Sequence, residues 1–163
     1  MEIRFPNNPE EWSQYFALRY KVLRQDWNQP EGSEILPDDD HAIHLIAIQD
    51  DQVLGAARMH YAENYAQIRC VAIDKNHQYK GIGKKLMLEL EKIAKTNNIQ
   101  KIILEARDNA IPFYEKIGFK YNSTTYNYCS IINMCLWNLF TTNIRTNRSK
   151  NNALGTTFWK PLF

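Results

Sequence analysis

Apolar positions along the chain repeat with two different periods, and the changes between them divide the sequence into helices and strands. Residues 9–25 repeat every three to four positions, which predicts an amphipathic helix starting at Pro9. Residues 43–48 and 53–60 are short apolar runs separated by four polar residues, which predicts a β-hairpin. Residues 26–40 are rich in acidic residues and turn formers, and predict a loop.

The following stretch alternates between strand and helix patterns. Residues 67–73 are rich in β-branched side chains and predict a strand, and residues 82–96 carry one apolar helical face. A compact apolar strand follows at 101–106, and a short helix over 109–116 is stopped by Gly118. Strand–helix–strand order implies a right-handed crossover with parallel pairing, so the pattern predicts an α/β fold.

Composition narrows the class of protein. The chain has 163 residues, 44% hydrophobic and 23% charged, which fits one globular domain and excludes a disordered, collagen-like or coiled-coil chain. No run approaches the roughly 18 apolar residues of a membrane span. The first residues, MEIRFPNNPEEW, lack the pattern of a signal peptide, so we expect a cytoplasmic protein with no membrane partner. Cys70, Cys129 and Cys135 lack metal-site spacing, which predicts reduced structural thiols and no metal.

Charge is divided unevenly along the chain. The net charge is +2, but all 18 acidic residues lie within 1–120. Residues 121–163 hold only four charged side chains, all basic: Arg145, Arg148, Lys150 and Lys160. Four spread basic residues are weak evidence for nucleic-acid binding, so we expect no nucleic-acid partner.

A glycine-containing loop, Gln78-Tyr79-Lys80-Gly81-Ile82-Gly83, stands between the predicted strand and the amphipathic helix. A helix N-terminus presents unpaired N–H groups, and glycine lets a phosphate approach the backbone. With Lys80 and Lys84 adding positive charge, the loop fits a pyrophosphate cradle. A tight turn that needs glycine to pack the helix on the strand explains the hexapeptide equally well.

Two other phosphate-loop motifs are excluded by detail. A Walker A loop requires GxxxxGK followed by Ser or Thr, but Lys85 follows Gly83-Lys84 here. A dinucleotide-binding fingerprint requires a third glycine, where this chain has Leu86.

Three blocks, in order and at matching spacing, resemble the core of the GNAT acetyltransferase family. They are the apolar triplet Val71-Ala72-Ile73, the loop 78–83, and the block 110–119 (AIPFYEKIGF). Upstream, Trp27, residues 30–34 and residues 67–69 are similar to a small bacterial subgroup of that family. The resemblance covers about residues 3–120.

The resemblance implies a GNAT fold, with a mixed central sheet flanked by helices and a splayed parallel strand pair that holds acetyl-CoA. It implies transfer of an acetyl group to a small-molecule or peptide amine. Tyr114 matches the family's general acid, although an aromatic that packs the short helix on the sheet fits the same spacing. The matching cofactor positions are Val71, Ala72, Ile73, Gln78, Tyr79, Lys80, Gly81, Ile82, Gly83, Lys84 and Asn109.

The acceptor side is less defined by the sequence. The family uses the loop after the first helix as a substrate lid, which implies that Arg24, Trp27 and Glu31 line the acceptor site. The candidates for the base that deprotonates the amine are Glu31, Glu34, Asp38, Asp39, Asp40, His41, His44, His60 and Glu105, with a water relay as the alternative. The run 38–40 favours a solvated loop, and the strand histidines favour structural hydrogen bonding.

The resemblance ends near residue 120, which divides the chain into a GNAT core, 1–120, and an atypical segment, 121–163. Of the latter, 18 residues are Asn, Ser or Thr. A diverged closing hairpin, a truncated second domain and a non-native tail all fit it, and residues 126–139 fit a strand or a helix equally. Because this segment departs from the family pattern, a non-catalytic acyl-CoA binding module is the alternative function. Its apolar residues are compatible with a homodimer.

Overall fold

The computed structural model of the chain describes residues 1–63, 65–128 and 132–140, with backbone alone beyond Lys120. The described strands are β1 (Glu2–Arg4), β2 (Ile43–Gln49), β3 (Gln52–Tyr61), β4 (Ala66–Ile73), β5 (Lys101–Arg107), β6 (Lys120–Tyr128) and β7 (Ile132–Phe140). The described α-helices are α1 (Pro9–Leu23), α2 (Ile82–Thr96) and α3 (Ile111–Lys116), and 3₁₀ turns lie at Gln25–Trp27, Asp39–His41, Lys75–His77 and Asp108–Ala110.

The seven strands form one sheet in the order β1-β2-β3-β4-β5-β7-β6. The β4–β5 pair is parallel, while the other neighbouring pairs are antiparallel. The mixed sheet, the β2–β3 hairpin and the parallel pairing around α2 were all predicted and are confirmed. Strand β1 was not predicted, because three residues are too few to show a period.

Helix α1 is fixed at its start by a local network. The Asn8 side chain accepts a hydrogen bond from the Glu11 N–H at 2.9 Å, and Pro9 occupies the first helical position. The Glu11 carboxylate then accepts two hydrogen bonds from the Arg4 guanidinium, each 2.7 Å long. Strand β1 and helix α1 are therefore joined by a bidentate ion pair.

Two separate apolar clusters lie on the two faces of the sheet. Leu45 and Ala47 of β2 belong to the cluster covered by α2 and α3, whereas Ile46 and Ile48 belong to the cluster covered by α1. This alternation is the two-residue period of a strand buried on both faces. Helix α1 therefore covers one face, and the other two helices cover the opposite face.

The loop after α1 is attached to the sheet by buried charges. Arg19 and Arg58 are both fully buried, and Asp39 lies between them, 3.2 Å from Arg19 Nη1 and 2.5 Å from Arg58 Nε. Asp38 Oδ1 lies 2.6 Å from Arg58 Nη2. The Arg19 guanidinium also donates to the Glu34 carbonyl. The prediction that residues 38–40 form a solvated loop is wrong for Asp39, because two buried guanidinium groups require its charge.

His44 completes this network. Its Nδ1 and Nε2 atoms lie 2.8 Å from the Tyr15 hydroxyl and from the Asp39 carbonyl oxygen, respectively. Burial lowers the pKa of His44, so the ring is neutral at pH 7. The prediction of a hydrogen-bonded structural histidine at this position is confirmed.

The two last strands extend the sheet beyond β5. β7 pairs with β5 in antiparallel register, from Lys101 opposite Phe140 to Arg107 opposite Met134, and β6 pairs with β7. The choice between strand and helix over 126–139 is therefore decided in favour of strand at the positions described. Cys129 and residues 141–163 lie outside the described residues, and so do the predictions made for them.

We expect Asp39→Asn to lower the free energy of unfolding by about 3–5 kcal/mol, because two buried guanidinium groups then lose the charge between them. Urea unfolding measures this change. Glu89→Gln is the control, since its ion pair with Lys92 is exposed and is expected to contribute less than about 1 kcal/mol. An Asp39→Asn variant as stable as the control would show that the buried network does not hold the loop.

Candidate active site

A cleft opens where β4 and β5 separate. The parallel register covers only three residue pairs, from Ala66 opposite Ile102 to Ile68 opposite Leu104. Beyond these pairs β4 continues to Ile73 and β5 to Arg107. The carboxyl-terminal halves of both strands therefore border open space.

A β-bulge in β4 accompanies the separation. The β3 residues Ala56 and Arg58 are two positions apart but pair with Ala72 and Arg69, which are three apart. Cys70 lies within the bulge and has φ +54°, the left-handed conformation that a non-glycine residue rarely adopts. The bulge therefore changes which face of the sheet each later residue of β4 meets.

The packing of β4 shows this change of face directly. Ala66 and Ile68 belong to the cluster under α2 and α3, and beyond the bulge Val71 and Ile73 pack on that same cluster. Arg69, which alternates with Ile68, is consequently on the α1 side of the sheet. The same alternation places Glu105 and Arg107 of β5 on the α1 side, since Leu104 and Ala106 lie in the opposite cluster.

The cleft has a volume of about 600 Å³ and is lined by residues from both faces of the sheet, the face covered by α1 and the face covered by α2 and α3. Of the predicted site residues, Arg24, Trp27, Val71, Gln78, Asn109 and Tyr114 line it. Ala72 is buried beneath α1, and Ile73 packs against the core, where its carbonyl accepts a hydrogen bond from Gln78 Nε2 at 3.4 Å. Glu31 is exposed on the loop and is not among the lining residues.

The loop that enters α2 uses its two glycines for different purposes. Gly81 has φ +81°, and a Cβ at this position would meet nothing within 4 Å. A Cβ on Gly83 would lie 3.2 Å from Phe113 Cζ, so Gly83 permits the close approach of α2 and α3. The packing explanation therefore applies to Gly83, while Gly81 combines a left-handed turn with an open side.

The N-terminus of α2 faces no capping side chain. Ile82 is the first helical residue, and the cap residue Gly81 supplies no side-chain acceptor. The first N–H groups of any α-helix have no partner within the helix, and the helix dipole makes them attractive to an anion. Tyr79, with φ +62°, is fully exposed beside them, and Lys80 and Lys84 flank the turn.

Tyr114 is buried on α3 with only 7% of its surface exposed, and it lines the cleft. Its ring makes edge contacts with Phe113 and Phe119, at centroid distances of 4.9 and 5.8 Å. Burial raises the pKa of Tyr114 well above its usual value, and the Cys70 thiol shifts it in the same direction. The hydroxyl therefore stays protonated at neutral pH, while the ring packs α3 on the sheet.

The α1 side of the cleft contains an aromatic–cation pair. The Arg107 guanidinium lies 5.1 Å from the centroid of the Trp27 ring, and its Nη2 donates to the Leu23 carbonyl at 2.6 Å. Arg24 Nε donates to the Ser33 carbonyl at 3.1 Å and Nη1 to the same Leu23 carbonyl at 3.3 Å.

The model of the Acetyltransferase (GNAT) family matches residues 3–119, and these residues contain the separated strand pair, the α2 loop and Tyr114. The chain belongs to this family. It is 28% identical over 120 residues to an uncharacterized N-acetyltransferase, YjcF, of Bacillus subtilis, a match that spans 74% of this chain and 86% of that protein.

Solved structures share the GNAT fold. A putative N-acetyltransferase from Lactobacillus plantarum superposes with a TM-score of 0.76 and 19% identity, over 86% of this chain and 98% of that one. An aminoglycoside 6′-N-acetyltransferase solved with coenzyme A gives a TM-score of 0.75 and 14% identity, over 90% of this chain and 100% of that one. The predicted family and fold class are therefore confirmed.

Most candidates for the base lie away from the cleft of this GNAT protein. Asp38, Asp39 and His44 belong to the buried network, and Glu34 is buried with its carboxylate bound to the Gly32 N–H. His60 contacts Arg58, and burial lowers its pKa. Asp40 and His41 are exposed. Of the acidic and histidine candidates described, Glu105 alone lines the cleft, where Gln67 Nε2 donates to it at 3.4 Å.

The sequence analysis did not assign Arg69, Cys70 or Arg107 to the site, although all three line the cleft. A polar residue at the end of an apolar strand is a usable signal for Arg107. Cys70 gave no signal, because a bulge follows from strand register rather than residue type. Among the described residues no group of three metal-ligating side chains was found. None of the helices described is long and apolar enough to cross a bilayer.

We expect Cys70→Val to lower the free energy of unfolding by about 1–3 kcal/mol, because a β-branched residue fits φ +54° poorly. Cys70→Gly is the matched variant, since glycine adopts this conformation without strain. In a regular strand valine would be the more stabilising of the two. Urea unfolding that finds the valine variant more stable than the glycine variant would contradict the bulge.

Proposed function

We propose that the chain transfers an acetyl group from acetyl-CoA to an amine. The observation that carries this proposal is the cleft between β4 and β5, which reaches both the α1 side and Tyr114. Membership of the GNAT family supports an acetyltransferase activity. The relative solved with coenzyme A supports the identity of the donor.

The donor would lie along the free half of β4. Backbone groups of Val71 and Ile73 would hold the pantetheine arm, with Asn109 at the cleft wall. The pyrophosphate would accept hydrogen bonds from N–H groups of residues 79–84, where the helix dipole and two lysines favour negative charge. Ala72 would contribute backbone alone, because its side chain is buried under α1.

Tyr114 is proposed as the general acid. When the amine nitrogen attacks the thioester carbonyl and the carbon–sulfur bond breaks, the leaving sulfur needs a proton. Tyr114 lines the cleft, and its hydroxyl stays protonated because burial raises its pKa. It would donate that proton and regain one from solvent.

Glu105 is proposed as the acceptor of the amine proton, directly or through a water molecule. It lies on the α1 side of the sheet, whereas Tyr114 packs in the cluster on the opposite side. The base and the acid would therefore work from opposite faces of the separated strands. Arg24 and Trp27 would bound the acceptor site on the α1 side.

Gly81→Glu tests the phosphate site. We expect calorimetric titration to show a loss of acetyl-CoA affinity of at least about a hundredfold, because a negative charge then occupies the open side of the turn. Gly81→Gln adds the same bulk and the same backbone strain without the charge, and is expected to lose less. Equal affinity in the glutamate variant and the wild type would show that the pyrophosphate binds elsewhere.

Tyr114→Phe tests the acid. We expect kcat to fall about a hundredfold, since one general acid contributes roughly that much, while acetyl-CoA affinity changes less than about threefold. Thiol release measures turnover, and Tyr61→Phe, which changes an exposed tyrosine outside the cleft, is the control. An unchanged kcat would remove Tyr114 from the mechanism. Acetyl-CoA binding without any transfer by the wild type would favour a non-catalytic binding module.

A further inference from the structure

The α1 side of the cleft has an excess of positive charge. The positive side chains that line it are Arg24, Arg69 and Arg107. Glu105 also lines it, and among the described residues its carboxylate has no ion-pair partner within 4 Å. The other acid and base at the cleft wall, Asp26 and Lys75, are paired with each other at 2.7 Å. Among the described lining residues, three guanidinium groups therefore face one carboxylate that is not already in an ion pair.

Within the part of the chain that the structure describes, none of these three arginines has a carboxylate within 4 Å. Arg24 and Arg107 instead donate to a backbone oxygen that they share, the carbonyl of Leu23. Like charges converging on one neutral acceptor repel each other, and partial burial makes that repulsion stronger than it would be in water. Burial, first, and then the Arg24 charge lower the pKa of Arg107, and the Asp26 charge offsets only part of that lowering.

Capping of α1 explains only part of this arrangement. A cation at a helix C-terminus is favourable, and Leu23 is the last residue of α1. One guanidinium is enough for that purpose, yet two are present. An arginine has five N–H donors. Among the described residues, the Leu23 carbonyl accepts from one donor of Arg107, and the guanidinium carbon of Arg107 lies 5.1 Å from the centroid of the Trp27 ring. This cation–π contact restrains the guanidinium at the wall of the cleft.

We propose that the acceptor carries, besides its amine, an anionic group, a carboxylate or a phosphate, which Arg24 and Arg107 bind. The inference rests on the proposed acetyl transfer and names the substrate class for the same site. Bidentate binding of a planar or tetrahedral oxyanion is the recognition for which arginine is suited. Glu105 would then receive the amine end of the same molecule, and Arg69 would add to the positive field between them.

The phosphates of coenzyme A are a second source of negative charge and must be separated from the acceptor. Saturating the protein with coenzyme A fills the donor site. Inorganic phosphate added afterwards then reports on the remaining anion site, with sodium chloride at equal ionic strength as the reference. The readout is the melting temperature, because a ligand that binds the folded state stabilises it.

We expect about 20 mM phosphate to raise the melting temperature of the coenzyme A-saturated protein by about 3 °C beyond the chloride reference. Arg24→Gln and Arg107→Gln should each remove most of this shift. Lys92→Gln, which removes one positive charge from the exposed surface of α2, should keep it. Arg107→Lys retains the charge without the guanidinium group, and is expected to keep only part of the shift, which also covers the case in which the glutamine variant does not fold.

Matched acceptors provide a second readout. O-phosphoethanolamine is compared with ethanolamine, and glycine with glycinamide, by thiol release. For each pair that the wild type acetylates, we expect kcat/KM to be at least about tenfold higher for the anionic acceptor than for the neutral one. In Arg107→Lys we expect the two kcat/KM values to differ by less than about threefold. Coenzyme A affinity in the arginine variants should stay within about threefold of the wild type.

Three results would overturn the inference. The first is no phosphate shift beyond chloride in a wild type that does bind coenzyme A. The second is a shift that persists in both glutamine variants. The third is a large loss of coenzyme A affinity in those variants, which would assign the arginines to the donor's own phosphates. Failure of the wild type to bind coenzyme A at all would instead refute the proposed function.

Discussion

The short contact between β4 and β5 is the constraint on which the rest of the architecture depends. Three residue pairs join the two halves of the sheet, and their inward side chains Ala66, Ile68, Ile102 and Leu104 are all at most 1% exposed. A longer pairing would close the cleft, and a shorter one would divide the sheet. The dense packing of these four residues lets so few ladder hydrogen bonds hold the strands together.

The buried charges around Asp39 are connected to that same junction. Arg19 Nη2 lies 3.4 Å from Cys70 Sγ, in the bulge that directs β4 away from β5. Through Asp39 and Glu34 the same guanidinium holds the loop after α1. One fully buried side chain, Arg19, therefore fixes the bulge, the loop and the helix relative to each other. Each of these three elements contributes residues to the wall of the cleft.

Elements with a clear period were predictable from the sequence, and features that depend on register were not. Helix α2 was predicted with its observed bounds, since its apolar face is continuous and glycine precedes it. Strand β1 and the bulge at Cys70 were not predicted, because each is defined by its pairing with a neighbouring strand. Asp39 was expected in solvent, because an acidic run does not reveal that two distant arginines will be buried beside it. The loop 78–83 is local in sequence, whereas the α1 side of the cleft is assembled from α1, β4 and β5.

The division of the core into two clusters has a consequence for how such a protein can change over generations. Neighbours in one strand, such as Leu45 and Ile46, contribute to different clusters, so a substitution under α1 need not disturb the packing of α2 and α3. The two apolar clusters can thus accumulate substitutions almost independently. A protein arranged in this way can change the side chains that border one face of the cleft by drift while the packing on the other face is kept.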